Sequence, residues 1–247
     1  MRIDLNADVG EGFAEDEAVI ALVSSVNVAC GAHAGDPMTI ERTIALARRF
    51  GAAVGAHPAY PDRDGFGRRD MEMSSSDLTA TLVDQVATVA RAGRLGGGEL
   101  SHVKPHGALY NRAARDPAVA ETVARAIRRV SADLVLVGLA GSVALEAGSA
   151  AGLRVAAEAF ADRRYEPDGR LRDRREPDAL LHDPLEAAAQ AVAIVRDGAI
   201  LAVDGSRLEL RADTLCVHGD APGAAARVRA VRHALEAEGV EIRPIDP

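Results

Sequence analysis

The chain has 247 residues, with 29 Lys and Arg against 37 Asp and Glu and a formal charge of −8. No basic stripe is long enough to track a phosphate backbone, which excludes nucleic-acid binding as the main role. No apolar run reaches the ~18 residues of a membrane span, and MRIDLNADVGEG lacks a signal-peptide core. Hydrophobic residues make up 48% of the sequence but aromatics only 3%, a mix that suits buried parallel strands packed against helices. Cys30 and Cys216 lie far apart, as expected for a soluble protein of the reducing cytoplasm.

In chain order, apolar runs predict strands at Arg2–Asn6, Val26–Ala29, Ala53–Gly55, Leu100–Val103, Leu134–Val137, Leu153–Ala157, Ile200–Val203 and Thr214–Val217. Helical patterns fall between them at Met38–Arg49, Ser76–Ala92, Ala108–Ala114, Pro117–Arg129, Ser142–Ala150, Pro184–Arg196 and Gly223–Glu238. Asp36-Pro37, Asp116-Pro117 and Asp183-Pro184 are helix starts, with Asp capping and Pro in the first turn. Strands alternating with helices imply a parallel sheet. There is no linker or repeat, so residues 1–247 read as a single β/α domain.

Polar residues collect at the carboxyl ends of these strands. Asn6 and Asp8 follow the first strand, His33 the second, His57 the third, Lys104 and His106 the fourth. Glu158 ends a later strand, and His218 and Asp220 follow the last. A closed barrel gathers such ends on one face, where barrel enzymes carry their sites; an open sheet scatters them along an edge. Six polar ends favour closure.

Lys104 is the only lysine among those 29 basic residues. Pro105 keeps its backbone extended, and Gly107 lets the chain turn into a helix. A compact ammonium with a movable pKa is what guanidinium does not offer, so Lys104 is a catalytic candidate rather than a surface charge. Asp8 is a candidate base, with Asn6 on the same side of the strand. His106 is a ligand or base candidate. Asp8, His57 and His106 form an Asp/His set of the kind that binds a divalent metal, although their spacing is not that of a compact metal motif. His33 sits in a glycine-rich turn. Arg68 and Arg69 in GFGRR, and Arg163 and Arg174 in the loop 161–179, are candidates for gripping a carboxylate or phosphate. His218 and Asp220 stand where the last strand turns into a helix. No GxxxxGK[ST] and no GxSxG occurs.

Together, DLNADVGEGF, SSVNVACGAHAGDP, GAHPAYPDRDGFGRR, HVKPHGALYN, EAFADRRYEPDGRLRDR and CVHGDAPGA resemble the 5-oxoprolinase A-subunit family, also called the LamB/YcsF family. They run from residue 4 to about 224. The chain departs from the family pattern where GEGF runs directly into AEDEAV and where Ala32 replaces an aromatic. The resemblance implies an irregular parallel β/α barrel of about seven strands, related to NodB-type deacetylases. It implies ATP-dependent opening of 5-oxo-L-proline to L-glutamate, together with partner subunits B and C, with ATP held in this chain or in a partner.

On that footing Lys104 is expected to bind a phosphate or developing oxyanion, and Asp8 or His106 to activate water. Glu158 is expected to serve the ring nitrogen, and Arg163 or Arg68 to hold the substrate carboxylate. Asn6, His33, His218 and Asp220 complete the expected binding set. The competing readings are a metal-dependent N-deacetylase or amide hydrolase, and a non-catalytic subunit that binds a small acid.

Overall fold

The computed structural model describes residues 1–245; the last two residues of the expected 1–247 domain lie outside the described residues. Its strands are β1 Arg2–Val9, β2 Ser25–Ala29, β3 Ala53–His57, β4 His102–Val103, β5 Val135–Leu139, β6 Arg154–Phe160, β7 Ala199–Leu201, β8 Arg207–Glu209, β9 Thr214–Cys216 and β10 Glu241–Ile242. Its α-helices are α1 Asp16–Ile20, α2 Pro37–Arg49, α3 Ser75–Leu95, α4 Gly107–Ala113, α5 Pro117–Val130, α6 Val143–Ala150, α7 Pro184–Val192 and α8 Ala224–Ala237. Strands β1 to β6 pair in sequence, all parallel, and β9 inserts between β6 and β1 to close a seven-stranded barrel. The expected closure is therefore present. Among the described residues no helix is long and apolar enough to cross a membrane.

Alternation along β1 shows how the sequence builds two environments. Ile3, Leu5, Ala7 and Val9 join the main apolar cluster that packs the barrel against its helices. Asp4, Asn6 and Asp8, the intervening residues, point inward, where period-2 geometry places them. There Asn6 donates to Glu158 and Thr214, and Asn27 donates to Asn6 and Asp8. The barrel interior is thus a hydrogen-bonded polar network, with a small apolar patch of Val135, Val137 and Ala156 against Ile245. Gly55 on β3 has no side chain because the ring of His102 occupies that space; an added Cβ would collide with it.

Asp36, Asp116 and Asp183 each accept from backbone N–H groups of the following helix, as the Asp-Pro pairs predict. One predicted barrel strand is misplaced. The run Ile200–Val203 yields β7, which pairs antiparallel with β8 outside the barrel. The reason is the Asp204-Gly205 dipeptide, a hairpin turn signal that folds the segment back on itself. The predicted helix Pro184–Arg196 also stops early, at Val192, and continues as a π turn, Ala193–Asp197, ending at Gly198.

Candidate functional site

The carboxyl ends of the barrel strands open into a cavity of about 1080 Å³. Asp8, Glu11, His57, Lys104, His106, His218 and Asp220 line it, with Arg68 and Arg174 among its arginines.

Lys104 is buried in its floor, at 2% exposure. Its Nζ lies 2.9 Å from Glu158 Oε1, 3.0 Å from Asp8 Oδ1 and 3.1 Å from Cys216 Sγ, and 5.1 Å from the centre of the Phe160 ring. These three near acceptors, with Asn6 Oδ1 a fourth at 3.5 Å, take up the three ammonium protons, which is why a compact cation stands here and a planar guanidinium does not. Burial alone would lower the Lys104 pKa, but Asp8, Cys216 and Glu158 hold it well above its ordinary value. Burial likewise opposes the Asp8 charge, yet His57 and Lys104 keep its carboxyl well below the usual range. The floor places two carboxyl groups around one ammonium. Tyr110, whose hydroxyl is pushed up by burial and by the adjacent Glu158, closes it from α4.

Beside the floor stands a group of imidazoles. His57 Nδ1 lies 2.8 Å from the carbonyl of Lys104, and His106 Nε2 lies 2.8 Å from the carbonyl of Phe66. A carbonyl only accepts, so each of these nitrogens carries a proton. Phe66 adopts φ 55°, the one left-handed non-glycine residue among those described. This is backbone strain of the kind that functional sites hold, and it belongs to the loop whose carbonyl receives His106. Gly107 has φ 56°, and an added Cβ would strike the carbonyl of Gly67; only glycine lets α4 start against that loop. The inward atoms, His57 Nε2 and His106 Nδ1, are 2.9 Å apart. Glu11 Oε1 lies 3.4 Å from His106 Nδ1, 3.9 Å from His57 Nε2 and 3.0 Å from His33 Nε2. Asp8 Oδ2 is 3.2 Å from His57 Nε2. These atoms are a donor set suited to a metal ion.

Across the cavity, Asp162 holds His218 at two points, ring Nδ1 and backbone N–H. Phe160 stacks on the imidazole at 5.3 Å. Asp162 stays ionised: burial opposes its charge, but His218 and the backbone hydrogen bond lower its pKa. Burial lowers the His218 pKa, and neighbouring Asp162 only partly offsets this. At neutral pH the ring is therefore neutral, with Nε2 left as its lone-pair nitrogen. At the rim, Arg68 and Arg174 both donate to Asp220 Oδ2, so two guanidinium groups share one carboxylate.

The structure thus gathers most of the sequence candidates on one face, but several do not reach the cavity as expected. Asn6 lies beneath its floor and His33 behind its wall, at 2% and 1% exposure, Asn6 tied to Glu158 and His33 to Glu11. Glu158 is fully buried beneath Lys104. Arg163 lines the cavity but spends its guanidinium on the carbonyls of Ala179 and Arg172, organising the loop 161–179. It is therefore not free to clamp a carboxylate. Arg69 pairs with Asp62. Glu11 and Asp162 are the residues that sequence reasoning passed over. Glu11, between Gly10 and Gly12, reads as part of a turn, and Asp162 as one more charge in ADRR; the end of a strand two residues before it was the available signal.

The chain matches the LamB/YcsF family over residues 3–247. A Chloroflexus aggregans protein named as the A subunit of 5-oxoprolinase is 54% identical over 98% of both chains. The crystal structure of a lactam utilization protein from Thermus thermophilus superposes with a TM-score of 0.93 at 44% identity, covering 99% of this chain and 100% of that one. A polysaccharide deacetylase from Bacillus cereus shares the fold, with a TM-score of 0.51 at 14% identity over 99% of this chain and 92% of its own.

Proposed function

The chain belongs to the LamB/YcsF family, and from this premise we propose that it is the A subunit of a 5-oxoprolinase, hydrolysing 5-oxo-L-proline to L-glutamate. The observation that carries the substrate is the end-to-end match to relatives that bear that name. The geometry supports hydrolysis of an amide as the reaction.

An unstrained lactam is protected by amide resonance. Opening it requires water to add at the ring carbonyl and a proton to reach the departing nitrogen. His218 suits both transfers. It is neutral, its tautomer is fixed by Asp162, and it lines the cavity. Nε2 accepts a proton from water as the carbon–oxygen bond forms and returns it to the ring nitrogen as the carbon–nitrogen bond breaks. Asp162 is the positioning residue.

Lys104 takes a different part from the phosphate ligand expected above. Its protons are all committed, so it acts on Asp8 and Glu158, fixing the floor beneath the substrate. Arg68 and Arg174, sharing Asp220, leave the rim one positive charge in excess, which favours the substrate carboxylate.

ATP consumption belongs to the assembled enzyme in this reading. No glycine-rich phosphate cradle of the GxxxxGK[ST] type occurs in the sequence, and phosphorylation of the carbonyl oxygen, which releases ADP, is assigned to the complex with subunits B and C; ring opening by water then leaves an acyl phosphate, which a second water splits to glutamate and inorganic phosphate. The test is to assay glutamate formation from 5-oxoproline with this chain alone, with B and C, and with each mixture lacking ATP. Glutamate from the complete ATP-supplied mixture only is the expected result. ATP-independent release by this chain alone would replace the reading with a stand-alone amide hydrolase.

A further inference from the structure

His57 and His106 face each other across a cluster of nitrogen and oxygen donors. Each gives one ring N–H to a backbone carbonyl, Lys104 for His57 and Phe66 for His106. The remaining ring nitrogens, His57 Nε2 and His106 Nδ1, point at each other and stand 2.9 Å apart. Carboxyl oxygens stand beside them: Glu11 Oε1 at 3.4 Å from one and Asp8 Oδ2 at 3.2 Å from the other. Lys104 does not reach the group; its Nζ is engaged by Asp8 through the other oxygen, Oδ1. Two imidazole nitrogens and a carboxyl oxygen converging on one point, with His33 beside them, form a donor set that a cation can bridge.

We propose that His57 Nε2, His106 Nδ1 and Glu11 Oε1 are the ligands of a divalent transition-metal ion of the zinc type, with Asp8 Oδ2 and His33 Nε2 as adjoining donors. This goes beyond the ring-opening reading and does not depend on it.

Four features carry the proposal. The first is spacing. Ligands about 2.0–2.2 Å from a tetrahedral ion lie roughly 3.3–3.5 Å from one another. The three ligand pairs here are separated by 2.9, 3.4 and 3.9 Å. The second is the outer layer. Metal-bound imidazoles characteristically donate their other N–H to a carbonyl or carboxylate, which fixes tautomer and ring plane; His57 and His106 both do so. His33 does not, since its buried Nδ1 has no hydrogen-bond partner among the described residues, and this ranks it outside the ligand set. The third is preorganisation. One backing carbonyl precedes Pro105 and the other belongs to left-handed Phe66, so neither ring is free to turn away. The fourth is access: Asp8, Glu11, His57 and His106 all line the cavity, so an ion there faces whatever binds in it. Two imidazoles with one carboxylate select zinc, iron or cobalt over magnesium or calcium. Glu11 distinguishes this centre from the Asp8, His57 and His106 set read from the sequence.

The experiment uses the purified full chain with no substrate, so its outcome is separate from that of the glutamate assay. After dialysis against chelator, the protein is titrated with Zn(II), Co(II) and Mg(II). Binding is followed by metal analysis, melting temperature and, for cobalt, the visible spectrum. The expected result is one zinc or cobalt ion per chain, a melting temperature that rises with metal concentration, cobalt ligand-field bands in the visible, and no response to magnesium. Glu11→Gln and His57→Ala should each weaken zinc by more than the about 10–100-fold that backing residues typically command, whereas Asp162→Asn should not change it. Circular dichroism reports folding of each variant, and Glu11→Gln, which preserves shape, carries the test if His57→Ala does not fold.

Three outcomes would overturn the proposal. One is substoichiometric metal with no thermal shift, meaning that a shared proton alone joins the two imidazoles. Another is zinc binding undiminished in Glu11→Gln. The last is a strong sulfur-to-cobalt charge-transfer band in the near ultraviolet, which would place the ion on the neighbouring Asp8, Cys216 and His218 group instead.

Discussion

Asp162 grips His218 with both carboxylate oxygens, Oδ1 at 2.8 Å from ring Nδ1 and Oδ2 at 2.9 Å from the backbone N–H. One residue thereby fixes ring plane, tautomer and chain position together. Asp162→Asn keeps the size but replaces one acceptor with a donor that opposes an N–H. We expect kcat for glutamate formation in the assembled enzyme to fall by about 10²–10⁴-fold, the range general acid–base catalysis supplies, with KM little changed. The pH profile distinguishes this from a structural defect. Burial lowers the His218 pKa and the Asp162 charge raises it, so removing that charge shifts the acid limb of kcat/KM to lower pH. An unchanged limb, or a loss confined to KM, would remove the dyad from the chemistry.

The second expectation concerns Lys104. Lys104→Met leaves Asp8 and Glu158 facing each other without their cation, at 8% and 0% exposure. Breaking a buried ion pair on one side costs about 3–5 kcal/mol, read as a lower urea midpoint at neutral pH. The sign of the pH dependence follows. Without the ammonium the Asp8 carboxyl loses a charge that lowers its pKa, so the stability its ionised form contributes above its unfolded pKa is reduced there and not below it. The deficit against the wild-type chain should therefore shrink on acidification. A deficit independent of pH would mean that lost packing, not charge, is responsible.

Much of this arrangement was legible in the residues. A solitary lysine in an arginine-rich chain marked the floor, because only a compact ammonium satisfies three converging acceptors. Polar residues at successive strand ends marked the closed face, and Asp-Pro pairs marked helix starts. What sequence does not carry is direction across the barrel. Arg163 and Arg68 are alike as residue types, yet one turns into its own loop and the other to the rim. Asn6 shares a strand face with Asp8, but it lies deeper in the barrel interior, tied to Glu158 and Thr214 beneath the floor. Glu158 was found as a strand-end carboxylate without any sign that Lys104 would lie above it. Asp162 was invisible because its partner is 56 residues away.

Asp4 offers a pH-dependent stability test at the opposite end of the network. Burial raises its pKa from the ordinary 3.8 to about 6, against hydrogen bonds from Thr214, Ser24 and Ser25 that lower it, with the Glu158 charge adding to the rise. A carboxyl whose folded pKa is raised contributes stability below its unfolded pKa and loses it as pH climbs through the folded value. Between pH 4 and 6 the wild-type chain should therefore lose up to about 3 kcal/mol relative to Asp4→Asn, which has no such titration. Chemical denaturation of both proteins across that interval measures the difference. Parallel stability curves would show that Asp4 is ionised in the folded chain throughout.

Gly55 tests whether the interior network is as tightly specified as its hydrogen bonds imply. The His102 ring covers the glycine while its Nε2 meets Asn27 Oδ1 and its Nδ1 meets Ser101 Oγ, at 2.8 and 2.7 Å. A ring held from both ends has nowhere to retreat, so Gly55→Ala must displace it or the strand. The expected cost is about 1–3 kcal/mol, as for overpacking a dense core. The mechanism makes a stronger claim than the magnitude. In a His102→Ala background the colliding ring is gone, and adding Gly55→Ala should cost far less than it does in the wild type, a non-additivity expected of residues in contact. Equal costs in both backgrounds would locate the glycine requirement in the β3 backbone rather than in the space the imidazole fills.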